Sequence, residues 1–218
     1  MTLEQIIALY RHQSDDDAIP YDVEDEILTI WANEAQDEAC RRGELLVSTS
    51  ADFCTIAFAA DDESVPLDPR IVRIKRARVN GKAVTVMKAD QMQEMFPEWM
   101  DDTTRTTPTH LIEGVDTGFL HLWPRPAEAG EVKITVQRMA IDPMANSNDE
   151  PEIRAELHPQ LVDWLLYRAH SKDDIEIYDD TKARLALARF EAEFGSKASG
   201  RNEAWSRYGE RVHSAPIA

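Results

Sequence analysis

The side chains best suited to catalysis or metal binding are the histidines, which are scattered along the chain. They are His12, His110, His121, His158, His170 and His213. No two of them form an HExxH motif, so the sequence gives little support for a zinc site. A GxSxG nucleophile elbow and the phosphate-binding patterns GxxxxGK[ST] and GxGxxG are also missing from the sequence. The residue patterns therefore predict a protein that is not an enzyme and that holds no cofactor or metal.

Two acidic arrangements could still do chemistry. His158 and Asp163 resemble an acid–base pair, but residues five apart on a helix do not share a face, so we expect each to cap or pack. The loop from Asp142 to Glu150 is rich in oxygen-bearing side chains. A calcium loop needs acids at alternate positions and a glycine at its turn, and this loop has neither. We expect an ordinary polar loop.

The charge of the chain restricts its partners. The net charge is −17 over 218 residues, and this acidity opposes non-specific binding to nucleic acid, which depends on Lys and Arg neutralising phosphates. One basic cluster runs from Arg70 to Lys82 and includes Arg73 and Arg76. It has no aromatic side chains nearby for base stacking. An ion-paired strand, either within one subunit or across a subunit interface, is the better interpretation.

Helices are predicted at the start of the chain, over residues 2–43. Thr2 and Gln5 form a capping-box pattern that opens the first helix. A second helix is expected from about Asp22 to Arg42, because Ile27, Ile30 or Trp31, Ala35 and Ala39 recur at helical spacing. Gly43 is expected to cap its end. Cys40 and Cys54 follow no metal or redox spacing, so we expect buried thiols in a protein of a reducing compartment. The sequence also predicts no signal peptide before the first helix.

Short β-branched runs fill residues 45–140 and predict an antiparallel sheet. Asn80-Gly81 lies between two such runs, which is a strong signal for a hairpin. Asp116 to Gly118 marks a further turn, and the segment 88–96 predicts a short helix between strands.

Helices are predicted again from residue 155 to 195. One should run from Leu157 to His170 and pack on several sides, because its apolar residues point in more than one direction. Another should begin near Asp180, with Leu187, Phe190 and Phe194 on one face and Gly195 at its end. The predicted fold class is α+β: helices 2–43 and 155–195 packed with a β-rich insert, 45–140, in one domain of residues 1–195.

Residues 196–218 read as a C-terminal arm. Four cations against two acids give the arm a net charge of +2, which leaves −19 on the rest of the chain. Trp205, Tyr208 and Val212 would share one face of a helix, with Arg201, Arg207 and Arg211 around them. Exposed aromatic and arginine side chains are typical of interface anchors. The hypothesis is that the arm orders on a neighbouring subunit or another partner; the alternative is that it folds back on its own subunit.

Four segments together carry a resemblance. They are WANEAQDEACRR (residues 31–42), VPLDPRIVRIKRARV (65–79), FLHLWPRP (119–126) and EPEIRAELHPQLVDWLLYRAHSKDDIEIYD (150–179). In this order and spacing the chain resembles the head–tail connector adaptors of tailed bacteriophages. The resemblance covers about 150 of the residues and is more specific than any single segment.

The resemblance implies a structural virion protein of the phage neck, assembled in the host cytoplasm. It implies a homo-oligomeric ring of about twelve copies, bound to the portal protein and to a downstream tail terminator, stopper or nozzle, with DNA passing through the lumen without specific binding. It carries no catalytic residue. Trp31 and Trp164 would be buried on neighbouring helices, Pro69 and Pro124 would fix strand ends, and Asn33, Glu34 and Glu38 would lie on a subunit interface or on a solvated helix face.

Two other classes remain open. One is an acidic interaction protein that mimics DNA and blocks a nucleic-acid-binding partner. The other is a hydrolase whose carboxylates are hidden among the many acids of the chain.

Overall fold

The computed structural model describes residues 1–172 and 178–197. Within these residues the chain divides into two compact units, one of Met1–Leu45 with the chain from Ala140 onward, and one of Leu46–Met139. The first unit is helical and the second is built mainly of strands. The α+β class predicted from the sequence is confirmed, with helices toward both ends of the chain.

The helical unit begins with two helices joined by an acidic loop. Helix α1 spans Leu3–Ser14, and its capping box is formed by Thr2 and Gln5 as predicted. Helix α2 spans Asp25–Arg42, three residues shorter at its start than expected, because Glu24 is the extended N-cap residue. Gly43 ends α2 but has an extended φ of −105°, so the prediction of a glycine cap holds for its position and not for a left-handed conformation.

The buried face of α2 differs from the predicted one. Trp31, Ala35 and Ala39 are buried as expected, but Ile27 and Ile30 are exposed and Leu28 is buried in their place. On a helix, residue 28 lies about 100° from residue 27, so the apolar stripe is rotated toward Leu28 and away from the two isoleucines.

The two later helices complete this unit. Helix α4 spans Leu161–His170, and α5 spans Asp180–Phe194. The predicted start of α4 at Leu157 is wrong: residues Ala155–Leu157 form a separate 3-10 turn. Helix α4 packs against α1, α2 and α5, which confirms that it is packed on several sides. Backbone N–H groups of Lys182 and Thr181 hold the pKa of Asp179 below its ordinary value, so this N-cap stays ionised at the start of α5.

The second unit is a sheet of eight strands, all among the described residues. Five of its strands are β4 (Ile71–Val79), β5 (Lys82–Lys88), β7 (His110–Glu113), β8 (Phe119–Trp123) and β10 (Gly130–Arg138). The other three are β1 (Val47–Ser48), β2 (Thr55–Phe58) and β3 (Ser64–Pro66). The order is β1-β10-β4-β5-β7-β8-β3, and β2 also pairs with β10. A separate parallel pair joins β6 (Arg105–Thr106) to β9 (Arg125–Pro126).

The turns of the sheet follow the sequence signals. Asn80 and Gly81 have φ values of 48° and 78°, as a tight hairpin turn between β4 and β5 requires. The prediction of an antiparallel sheet holds for most pairings and is corrected at two, because β5 and β7 run parallel and the separate β6–β9 pair is also parallel. The helix α3, Ala89–Met95, lies in the long connection between these two strands, and parallel neighbours need a crossover of this kind. Pro69 and Pro124 lie beside strand ends, as expected.

Each unit has its own core. The sheet buries Phe58, Val79, Leu111, Leu120 and Val132 among other apolar residues. The helical unit buries Ile6, Leu28, Leu161, Leu165 and Phe190. Cys40 and Cys54 are both buried, as expected, and the reducing compartment stays a prediction.

Candidate docking surfaces

The histidine of the candidate acid–base pair, His158, is hydrogen-bonded to the backbone. His158 is 1% exposed, and its Nε2 lies 2.9 Å from the carbonyl oxygen of Ile153. Its Nδ1 lies 2.8 Å from the terminal nitrogen of Met1. Asp163 accepts a hydrogen bond of 2.7 Å from Arg189 Nε. The arrangement fastens the chain start and α5 and forms no acid–base pair between His158 and Asp163.

The polar loop of residues 142–150 is held together by hydrogen bonds to one of its own side chains. The carboxylate of Asp149 accepts hydrogen bonds from the backbone N–H groups of Ala145 and Asn146, at 2.8 and 2.7 Å. These bonds hold the pKa of Asp149 below its ordinary value. In the part of the chain that the structure describes, no three His, Cys, Asp or Glu side chains are grouped to hold a metal ion.

Asn33 joins α2 to this loop. Its Nδ2 donates to the carbonyl oxygen of Met144 at 2.9 Å, and its Oδ1 accepts from the backbone N–H of Met144 at 2.8 Å. Both ends of the amide are therefore used by the backbone of one residue, a pairing that fixes the register of the loop on the helix. The role of Asn33 seen here lies within the subunit, and a place at a subunit interface stays a prediction.

Glu34 and Glu38 have different surroundings, although they are one helical turn apart. Glu34 accepts a hydrogen bond of 2.9 Å from Arg168 Nη1, on the surface. Glu38 is 7% exposed and accepts from Arg41 and Arg42, at 2.6 and 3.0 Å. Burial excludes a solvated helix face for Glu38. A contact with another subunit could form through Glu34, and for both residues it stays a prediction.

Arg42 connects the ends of α2 and α5. Its Nη1 donates to the carbonyl oxygen of Gly195 at 3.2 Å, and its guanidinium carbon lies 5.1 and 5.3 Å from the ring centres of Phe190 and Trp164. The guanidinium thus satisfies a helix-end carbonyl and packs on aromatic faces at the same time.

The basic strand β4 presents its cations outward. Val72, Ile74, Ala77 and Val79 are buried, whereas Arg76 is exposed. Arg73 is half-buried and is not without interactions, and the interpretation of an ion-paired strand stays a prediction. A contact of Arg73 or Arg76 across a subunit interface stays a prediction.

An aromatic pocket was not found from the sequence. It lies within the sheet unit, has a volume of about 520 Å³, and is lined by Phe96, Trp99 and Trp123 among others. The rings of Phe96 and Trp123 are 4.8 Å apart. Met95 and Met100, at 60% and 58% exposed, lie beside the pocket. The segment MFPEWM, residues 95–100, is the sequence signal, because it holds more large apolar side chains than a short surface helix can bury.

The pocket has an acidic lining and two buried indole N–H donors, on Trp99 and Trp123. Glu98, Asp101 and Asp102 line it beside the aromatic rings. Hydrogen bonds from Thr104 hold the pKa of Asp102 below its ordinary value, so this carboxylate stays ionised. The indole N–H of Trp99 is buried without a hydrogen-bond partner among the described residues, although buried Trp N–H groups usually find one. Such a pocket suits an apolar or aromatic side chain carried by a segment with cations.

The predicted anchor residues of the C-terminal arm lie outside the described residues. They are Arg201, Trp205, Arg207, Tyr208, Arg211 and Val212. Only Ser196 and Lys197 of the arm are described, and the backbone N–H of Lys197 donates to Glu191 at 3.4 Å. The anchor stays a prediction. No helix among the described residues is long and apolar enough to span a bilayer.

Comparison with known proteins identifies a family. The family model described as SU10 adaptor protein matches residues 1–215, which is nearly the whole chain. No curated protein matches the chain significantly. The match agrees with the resemblance carried by the four ordered segments, which run from residue 31 to 179. The chain belongs to the SU10 adaptor protein family, a family of structural adaptors at the head–tail junction of bacteriophages.

Proposed function

We propose that about twelve copies of the chain form a ring beneath the phage portal, extend the DNA channel and dock the next tail component. The observation that carries the proposal is the family match over residues 1–215. An adaptor between two ring-shaped assemblies has to present one surface to each of them and a third to its own neighbours.

The charge of the chain suits a channel for DNA. Twelve copies would carry about −200 in total, from −17 each, and a wall without excess cations repels DNA and lets it slide. The lumen is therefore expected to be acidic or neutral. The same charge makes the copies repel one another, so a free ring should be weaker at low salt and firmer when salt screens the charges.

Two surfaces are available for docking. The aromatic pocket of the sheet unit, with its exposed Met95 and Met100, supports the docking of another virion protein. The C-terminal arm, residues 196–218, combines Trp205 and Tyr208 with three arginines and is proposed to attach to the portal or to a neighbouring adaptor copy.

The direct test mixes the purified chain with the cognate portal. Mass photometry should show about twelve copies added per portal ring, and negative-stain images should show a second ring stacked on the first. Absence of any complex would reject the proposal, and a constriction lined by Lys and Arg would contradict its account of the lumen. Deletion of residues 196–218 should leave the body folded and weaken attachment; unchanged affinity would exclude the arm as the anchor.

A second function, mimicry of DNA, is favoured only by the charge of −17. It predicts that the chain displaces DNA from a basic DNA-binding protein and that the portal does not compete. The proposed adaptor should bind the portal whether or not such a protein is present.

A further inference from the structure

The outer face of α2 carries two exposed isoleucines among acids. Ile30 is 60% exposed and Ile27 is 39% exposed. Glu26 and Glu34 lie four residues before and after Ile30, so both carboxylates flank it on the same side of the helix. We name Glu26, Ile27, Ile30 and Glu34 the acidic patch.

The outer face of α5 carries the reverse arrangement. Leu185 is 57% exposed. Lys182, three residues before it, and Arg189, four residues after it, flank it on the same side of the helix, and both are exposed. We name Lys182, Leu185 and Arg189 the basic patch.

Charged side chains of both patches already form ion pairs within the subunit, and they remain accessible to a second partner. Arg189 donates to Asp163 at 2.7 Å with its side chain 50% exposed, and Arg168 donates to Glu34 with its side chain 42% exposed. The Arg168–Glu34 pair lies at the surface, and such pairs contribute at most about 1 kcal/mol, so this pair can rearrange when a partner approaches. The Asp163 side chain is only 16% exposed, so Arg189 keeps this pair, and its half-exposed guanidinium has further N–H groups for a second acceptor. Burial of the exposed Ile and Leu side chains contributes favourable free energy to association, and salt does not screen this contribution.

The two patches are on different helices. Helix α4 packs against both α2 and α5, while α2 and α5 are joined near their ends through Arg42. One copy can therefore offer the acidic patch to one neighbour and the basic patch to another. Contacts between two different patches are head-to-tail, and head-to-tail contacts are the kind that close into rings of many copies.

We infer that the acidic patch of one copy binds the basic patch of the next copy, with Ile27 and Ile30 packed against Leu185. The inference rests on the proposed ring and names the surfaces that build it. Glu26 and Glu34 then face Lys182 and Arg189 across the interface. These opposite charges offset, at the contact itself, the repulsion between two acidic copies.

Disulfide trapping tests the contact in the full-length chain. The native thiols, Cys40 and Cys54, are buried, so a mild oxidant acts first on introduced cysteines. Ile30→Cys mixed with Leu185→Cys should give a covalent dimer that neither variant forms alone. The double variant should give a ladder of larger species. Glu94→Cys, at an exposed position of α3, replaces Leu185→Cys in the control mixture and should give no more dimer than background.

Charge reversal provides an independent readout. Glu26→Lys with Glu34→Lys should weaken self-association at least about tenfold, since two attractive pairs become repulsive. Lys182→Glu with Arg189→Glu should do the same. Mixing the two reversed chains should restore association between them, which a general loss of folding could not do.

The outcomes separate this inference from the proposed function. If portal-bound rings form but the Ile30–Leu185 mixture cross-links no better than the Glu94 control, the patches are not the interface and the adaptor ring stands. A dimer formed by Ile30→Cys alone also overturns the inference, because it means that α2 meets its own copy. If the trapped ladder forms without any portal binding, the interface stands and the proposed function is wrong.

Discussion

Removing the buried carboxylate of Asp16 should destabilise the helical unit. Asp16 is 5% exposed and accepts from Arg11 Nη1 at 2.7 Å and from the backbone N–H of Asp22 at 2.9 Å. Arg11 is itself 7% exposed and donates through Nη2 to the carbonyl oxygen of Val23 at 3.1 Å. The pair therefore fastens the acidic loop between α1 and α2.

The size of the effect follows from what Asp16→Ala leaves behind. A buried charge without its partner costs about 3–5 kcal/mol. Arg11 keeps an ion pair with Asp25, whose side chain is 67% exposed, and it stacks on the ring of Tyr21 at 3.5 Å. The remaining contacts reduce the cost, so we expect a loss near the lower end, about 3 kcal/mol. Asp17→Ala, at the exposed neighbouring position, removes the same charge and should change stability by less than about 0.5 kcal/mol.

Urea unfolding followed by far-UV circular dichroism measures this difference, because the helices dominate that signal. With a slope of about 2 kcal/mol per molar urea, Asp16→Ala should lower the midpoint by about 1.5 M relative to Asp17→Ala. Equal midpoints for the two variants would refute the reasoning. The double change Arg11→Met with Asp16→Leu should recover most of the loss, since it removes both buried charges together.

Three further changes have expected outcomes. Gly130→Ala places a Cβ against Asn80 Oδ1 and 2.7 Å from Phe58 Cζ, so urea unfolding should show a loss of about 1–3 kcal/mol; an unchanged midpoint would mean that the Asn80 side chain moves freely. Phe190→Ala, at a residue 0% exposed between Trp164 and Phe194, should cost about 3–5 kcal/mol in the same assay, whereas Leu185→Ala on the same helix should cost under about 0.5 kcal/mol in the free chain. Burial lowers the pKa of His110 below its ordinary value of 6.5, so its contribution to stability is complete above pH 6.5 and declines as pH falls toward the folded pKa, because the unfolded chain takes up the proton first. NMR titration of the His110 ring should give a midpoint below 6.5, and His110→Gln should abolish this part of the acid sensitivity; a midpoint at or above 6.5 would contradict the burial argument.

Local chemistry accounts for the elements that the sequence predicted well. The capping box at Thr2 and the turn at Asn80-Gly81 need only a few neighbouring residues to satisfy backbone groups or adopt positive φ. Both appear in the structure as expected. Such signals depend little on the rest of the fold, which is why a single sequence is enough to find them.

Local sequence signals do not show which of several apolar side chains packs into the core. The isoleucines of α2 and its Leu28 fit helical spacing equally well, and the tertiary contacts select Leu28. The helix-forming side chains of residues 155–160 predict an earlier start for α4, while Ala155–Leu157 form a 3-10 turn and α4 begins at Leu161. In α2 packing decides which face of the helix is buried, and before α4 it overrides the local propensity for a helix; the pattern contains neither effect.

The residue pattern of β4 contains a signal for a β-bulge. Its buried residues Val72 and Ile74 are out of phase with Ala77 and Val79, and strict alternation would not allow this. The structure resolves the conflict with an irregularity: Val136 pairs with Ile74 and Thr135 with Arg76, which leaves Lys75 as the extra residue. An interrupted period of two in a strand therefore predicts a bulge.

The candidate surfaces were predictable only in part, for a related reason. The charge of the arm and of β4 is visible in the sequence, but the aromatic pocket combines residues 95–102 with Trp123 from a strand further along the chain. Helical spacing predicts a buried Ile27, with Ile30 as an alternative to Trp31, because an apolar side chain at helical spacing usually is buried. A residue that breaks this rule by staying exposed is informative only when the fold is known.

The distribution of charge explains how an acidic chain could assemble at all. At physiological salt the screening length is about 8 Å, so the repulsion between whole copies of −17 is strongly reduced, whereas charges in contact still act on each other. In the proposed ring, association then depends on the few places where the sign of the charge reverses beside apolar side chains. Lys182 and Arg189 around Leu185 are such a place, and Glu26 and Glu34 around Ile30 are its counterpart. Lower salt lengthens the repulsion while the apolar contact stays the same, so self-association should weaken as salt is removed, which is the opposite of an interface held by ion pairs alone.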